Sequence, residues 1–315
     1  MDKKTFRPLN LSRVRTYSLK KRFSKVHKHL LGKKVRKGAQ FRSFIQGLPD
    51  ILAAQNLKAI AKKIAHAHRR NRTILLGMGA HPIKVGLSPL IIDFMERRII
   101  HAVALNGAGI IHDFELAYWG ETSEDVAASL KDGNFGMAHE TGASLNRAIV
   151  EGYERKLGIG TAVGQAILKA RLPHRRLSVL AAGAQLGVPV TVHIAIGTDI
   201  IHMHPNADGK ALGEGSLNDF RTLASVVATL GDGVFLNFGS AVILPEVFLK
   251  ALNLARNLGC PVRNLTTVNL DFLPHYRPLT NVVGRPTLHS GTGYHLSGHM
   301  EIMVPLLFAA ILEEL

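Results

Sequence analysis

Past residue 40 the chain alternates short apolar runs with longer amphipathic stretches. Residues 73–77 (TILLG) read as a buried strand running into a glycine turn, and residues 88–100 carry helix-period apolar spacing that begins at a Ser-Pro start. Residues 101–105 repeat the strand pattern and end at Asn106-Gly107-Ala108-Gly109, and Thr122-Ser123-Glu124-Asp125 opens a further helix with an acidic first turn. The order continues with strands over 190–196, 234–237 and 262–268, and helices over 216–230, 245–258 and 301–315. Strands separated by helical stretches of roughly 10–15 residues predict an α/β fold: a doubly wound, mostly parallel Rossmann-like sheet with helices on both faces.

Composition adds a division of the chain. Of 315 residues, 46% are apolar, enough for a core, and the formal net charge is +16. Residues 1–40 hold 14 Lys/Arg against the single acid Asp2, whereas the rest carries 25 basic and 22 acidic residues. The expected organisation is therefore a basic N-terminal arm, 1–40, and one α/β domain, 41–315. The arm suits contact with a neighbouring subunit or, as the alternative, the phosphates of a nucleic acid. One cysteine, Cys260, excludes an internal disulfide framework, and no apolar run has the roughly 18–20 residues of a membrane span. These features lead to the expectation of a cytoplasmic protein with no membrane partner.

In doubly wound sheets ligands bind at the carboxyl ends of the strands, so the glycine turns are the first candidates. Gly79, Ala80 and His81, with Gly86 beyond them, follow one predicted strand, and Asn106, Gly107 and Gly109 follow the next. Such loops let backbone approach a pyrophosphate, although neither is a full GxGxxG and tight turns alone also call for glycine. A second group is polar: His112-Asp113-Phe114-Glu115, His193, Asp199, His202, His204 and His299. Imidazole with carboxylate suits acid–base work or a metal, but no fixed-spacing metal signature joins these segments. There is no GxSxG elbow at Gly239-Ser240-Ala241, which speaks against a serine hydrolase.

The ordered series LGMGAHPIKVG (76–86), NGAGIIHDFE (106–115), FGMAHETG (135–142), IGTDIIHMHP (196–205), LNFGSAVILPE (236–246) and TTVNLDFLPHYRP (266–278) resembles the deoxyhypusine synthase family, over residues 45–315. The resemblance implies bound NAD, a homotetramer or tight dimer with active sites at subunit interfaces, and transfer of an aminoalkyl group from an amine or polyamine-type substrate through an imine. Carried over, the cofactor-binding positions are Gly79, Ala80, His81, Gly86, Asn106, Gly107, Gly109, Gly239, Ser240, Thr266 and Thr267. The catalytic candidates are Asp199, His112, Asp113 and Arg285. In place of the family's lysine-bearing loop the chain reads RPLTNVVGRP (277–286), and no lysine occurs from 251 onward. Arg285 stays charged at any working pH and cannot form an imine. Three readings follow: an NAD-dependent transferase without a covalent lysine intermediate, a relative using its His/Asp/Glu groups for a metal or other chemistry, and a non-catalytic NAD-binding or interaction protein.

Overall fold

A computed structural model describes residues 4–315. Residues 4–29 are exposed apart from half-buried Ser24, and contain short 3-10 turns at Leu19–Lys21 and Lys28–Leu30. Among the described residues, backbone bonds tie the arm to the body near its end, where Lys33 N donates to Gly47 O and Asp50 N to Leu30 O.

Helices α1 (Phe41–Gly47) and α2 (Leu52–Arg69) lead into the sheet. The apolar stripe of α2, including Leu57, Ile60, Ala61 and Ile64, is buried. Strand β1 (Ile74–Met78) is followed by α3 (His81–Lys84) and α4 (Ser88–Glu96), and β2 (Ala102–Asn106) by α5 (Gly107–Tyr118). An excursion then carries α6 (Val126–Leu130), α7 (His139–Glu154), α8 (Ile159–Lys169) and α9 (Val179–Leu186) before β3 (Val190–His193). The second half runs α10 (Gly209–Ala228), β4 (Val234–Phe238), α11 (Ile243–Asn257) and β5 (Leu265–Asp271). The single turn α12 (Tyr276–Pro278) and a π-helical turn over Leu279–Gly284 lead to β6 (Gly291–Ser297) and α13 (Met300–Glu314).

All six strands are parallel, in the order β3-β2-β1-β4-β5-β6. The expected doubly wound α/β sheet is thus present. Strands β1 to β5 are almost wholly buried, as a sheet covered on both faces requires. On one face Leu76, Val103, Leu236 and Val268 pack with α2, α4, α5 and α13, and the ring of Phe308 stacks on that of Phe94 at 3.8 Å. On the other face Leu75, Ala104, Phe235 and Leu265 pack with α10 and α11, and Phe235 stacks on Phe248 at 3.8 Å. A Cβ at Gly77 would lie 2.9 Å from the Phe235 ring, so this glycine makes room for that stack. Among the described residues no helix is long and apolar enough to cross a membrane.

Candidate functional site at the carboxyl ends of the strands

The helices after β1 cover one face and the helix after β4 covers the other, so the chain diverges between these neighbours and opens a crevice at their carboxyl ends. Two glycines set its floor. A Cβ at Gly79 would sit 2.4 Å from Gly239 O, and Gly239 has a left-handed φ of +60° with Met300 against it, so the two loops meet backbone to backbone. Ser240 is buried and its Oγ accepts from Leu244 N at 3.1 Å, within the first turn of α11. Ala80 is half-buried, and His81 and Gly86 are exposed around α3.

Beside this crevice β2 passes directly into α5. Asn106 caps the helix by accepting from Gly109 N at 3.1 Å. Gly107 is buried, and a Cβ there would come within 1.9 Å of Asp199 Oδ2. Asp199, brought in by the turn after β3, is only 6% exposed and burial pushes its carboxyl up to about 6. Its Oδ2 has no hydrogen-bond partner. His202 Nδ1 accepts from Gly197 N (3.1 Å) and Asp199 N (3.3 Å), which leaves the proton of the neutral ring on Nε2. That Nε2 is also buried and unpartnered, and it faces Asp199 Oδ2 at 4.0 Å. An acceptor and a donor therefore stand just too far apart to bond directly, at the start of a 12-residue helix. A hydroxyl of a bound molecule, which both donates and accepts, would satisfy the two together.

A second polar cluster lies further along α5. His112 Nδ1 donates to Thr122 Oγ1 (2.7 Å), Thr122 Oγ1 donates to Glu115 Oε2 (2.5 Å), and Thr141 Oγ1 donates to Glu115 Oε1 (3.1 Å). Burial, aided by the nearby Lys84 ammonium, lowers His112 to about 4, so its ring is neutral near pH 7. His193, at the end of β3, is likewise lowered to about 4 by burial, and its Nε2 lies 2.9 Å from Thr191 Oγ1.

Other expected site residues are placed elsewhere. Asp113 is fully buried and braces α9: Oδ2 accepts from Ser178 Oγ (2.5 Å) and Leu180 N (3.3 Å), and Oδ1 from Val179 N (2.7 Å). Thr266 and Thr267 pair with Val234 and Phe235, the first residues of β4, so they lie at the amino ends of the strands, opposite the crevice. Arg285 is exposed on the connection to β6, with Nη1 on Asn281 Oδ1 at 2.8 Å. Because β6 and β3 are opposite edges of the sheet, Arg285 does not share a site with Asp199 within one chain. Among the described residues no three His, Cys, Asp or Glu side chains come together as a metal site.

One feature escaped the sequence reading. Asn237, Asn269 and His295 are in register across β4, β5 and β6. Asn237 Nδ2 donates to Asn269 Oδ1 (2.7 Å), Asn269 Nδ2 to His295 Nδ1 (3.0 Å), and His295 Nε2 lies 2.9 Å from Ser297 Oγ. The signal was present as single polar residues set within apolar strand runs, FLNF and TTVNLD.

No protein-family model and no curated protein matches this chain. Solved structures match it in fold. A conserved LOR/SDH protein from Methanococcus maripaludis S2, provisionally so named, is 14% identical with a TM-score of 0.53, over 83% of this chain and 70% of that one. The ternary complex of AgrE with ornithine and NAD+ is 12% identical with a TM-score of 0.50, over 83% of this chain. This chain spans only 34% of AgrE's length. A provisionally named deoxyhypusine synthase from Entamoeba histolytica is 13% identical with a TM-score of 0.49, over 89% of this chain and 95% of that one.

Proposed function

We propose that this chain is an NAD-dependent enzyme that oxidises an amine, and that it belongs among aminoalkyl transferases of the deoxyhypusine synthase type. The observation that carries the reading is the buried, unpartnered Asp199 Oδ2 facing His202 Nε2–H at the start of α5, beside the crevice between β1 and β4. The pair fits a dinucleotide, whose ribose hydroxyls both donate and accept. Gly79, Ala80, His81 and Gly86 on one side, and Gly239 and Ser240 on the other, would hold the cofactor across the crevice. Asn106, Gly107 and Gly109 would present the positive end of α5 to its phosphates. AgrE, of similar fold, has been captured in a ternary complex with ornithine and NAD+.

When bound, NAD supplies the acceptor for the hydride that leaves the carbon bearing the substrate nitrogen. Above pH 6 the Asp199 carboxylate is ionised, the form in which it would accept a hydrogen bond from a ribose hydroxyl while His202 Nε2–H donates to that hydroxyl's oxygen. His112, neutral near pH 7, adds no positive charge against a cationic amine. With no lysine beyond residue 250 to hold it, the imine carbon would bond directly to an acceptor amine as its bond to the original amine breaks and that amine is released, and bound NAD would supply the hydride exchange that precedes and follows this step. The test is calorimetric titration of the purified full-length chain with NAD, then NADH absorbance on addition of ornithine, putrescine or spermidine. Saturable NAD binding with an amine-dependent rise that Asp199→Asn abolishes supports the reading. Absence of NAD binding overturns it.

A further inference from the structure

Among the described residues, the arm and the body carry complementary surfaces, and no hydrogen bond or ion pair joins those two surfaces. Between residues 119 and 140 stand Glu121, Glu124, Asp125, Asp132 and Glu140 against one Lys or Arg, Lys131. The same excursion exposes Trp119 (70%), Val126, Leu130 and Met137. It is anchored beside the turn after β3, where Gly136 packs on Ile200 and Met203 and Gly136 O meets His204 Nε2 at 2.9 Å. This region of the molecule is therefore both acidic and apolar.

The arm is its counterpart. Fourteen Lys/Arg in residues 1–40 alternate with large apolar side chains, and Phe6 (90%), Tyr17 (72%) and Phe23 (86%) lie open to solvent with Leu9, Leu11, Leu19 and Leu31. Nucleic-acid phosphates would engage the cations and stack the aromatics, but they give the leucines and valines nothing to pack on. A protein surface that is acidic and apolar satisfies both kinds of side chain.

The two surfaces start from opposite sides of the chain. The arm leaves from α1, which is clamped to the last turn of α13 by Arg42 and Glu313. Since α13 begins at the carboxyl end of β6, its last turn lies toward the amino ends of the strands. The far end of the acidic excursion, at Gly136, instead lies against the turn after β3, at the carboxyl ends.

We infer that the arm of one copy docks on the acidic, apolar 119–140 surface of a second copy, so that self-assembly of this protein runs through arm exchange. This stands independently of the cofactor reading. The test mixes ¹⁵N-labelled and unlabelled full-length protein in high salt, returns the mixture to low salt, and applies a carbodiimide that joins amines to carboxylates in direct contact. Cross-links joining labelled with unlabelled peptides, from Lys20, Lys21, Lys25 or Lys28 to Glu121, Asp125, Asp132 or Glu140, are expected. Light scattering should show an oligomer that loses mass in high salt and in the Glu121→Lys/Asp125→Lys/Asp132→Lys variant, whose circular dichroism should match the parent's. Cross-links confined to same-isotope pairs, a monomer at low salt, or an assembly dispersed by nuclease would each overturn the proposal; the last would assign the arm to nucleic acid.

Discussion

Replacing Asp199 by Asn tests whether the carboxylate is held at the expense of the fold. In the folded chain this carboxyl titrates near 6 instead of 3.8, because it is buried and one oxygen lacks a donor. A carboxyl whose folded value lies above its unfolded value favours the fold when protonated, and that advantage is lost as pH rises from about 4 through about 6. Over that interval the difference amounts to about 3 kcal/mol, at 1.36 kcal/mol per pH unit, as an upper figure for a side chain at the edge of a crevice. An amide of the same shape carries no charge to desolvate. Asp199→Asn should therefore be more stable than the parent at pH 8 by up to about 3 kcal/mol and by only about 1 kcal/mol at pH 4.5, while losing the function proposed for the carboxylate. Urea unfolding followed by circular dichroism at the two pH values measures both. If the variant proves less stable than the parent at pH 8, the folded chain supplies Asp199 with a compensating partner and the reasoning fails.

Two further substitutions separate scaffold from site. Thr267 is fully buried with its Oγ1 unpartnered, so Thr267→Val should raise stability by roughly 1 kcal/mol in urea unfolding. NAD titration of that variant should match the parent, because the residue lies at the amino ends of the strands; a large loss of affinity would refute that placement of the cofactor. Ser178 caps α9, accepting from Ala181 N at 2.9 Å, and donates to Asp113, whose carboxyl burial raises to about 6. Ser178→Ala should cost about 2 kcal/mol at pH 8, where Asp113 is ionised and needs the donor, and less at pH 5; calorimetric melting at both values checks the difference.

The sequence announced the strands wherever both faces are apolar. Residues 73–77 and 234–237 lie within a residue of β1 (Ile74–Met78) and β4 (Val234–Phe238), and the helix expected over 245–258 is α11 (Ile243–Asn257). Strand β6 was missed because GTGYHLS is short of apolar residues: it is an edge strand, half exposed, and shows no buried pattern to read. Helices α7 and α8 are not among the elements expected from the sequence, because glycines interrupt them. Gly152 and Gly164 lower helix propensity locally, yet a Cβ at either would lie 2.3 Å from Ala162 Cβ or 2.4 Å from Leu180 O, contacts made only in the folded chain. Strand β5, expected over 262–268, spans Leu265–Asp271, so Thr266 and Thr267, cofactor candidates through the family resemblance, stand at its amino end. Asp113, a catalytic candidate through the family resemblance, lies next to His112 in sequence, but successive residues on a helix point in different directions, and its carboxylate is directed at the start of α9. Gly107 and Asp199 are far apart in sequence, and only folding reveals their contact.

The in-register row of Asn237, Asn269 and His295 has a consequence for how the sheet assembles. Strands wrapped by helices on both sides lack the inside–outside contrast that tells a half-exposed strand which alignment is correct. Sliding β5 by one residue would turn Asn269 toward the layer of Leu236 and Val268, breaking its bonds to Asn237 and His295 and leaving Asn237 only Ser240 O. Misaligned pairings are thereby penalised through stranded polar groups, while the correct one gains little net strength from the bonds themselves. The row works as a key that admits one alignment, and it does so in the second half of the sheet, where β6 has too few apolar residues to find its place unaided.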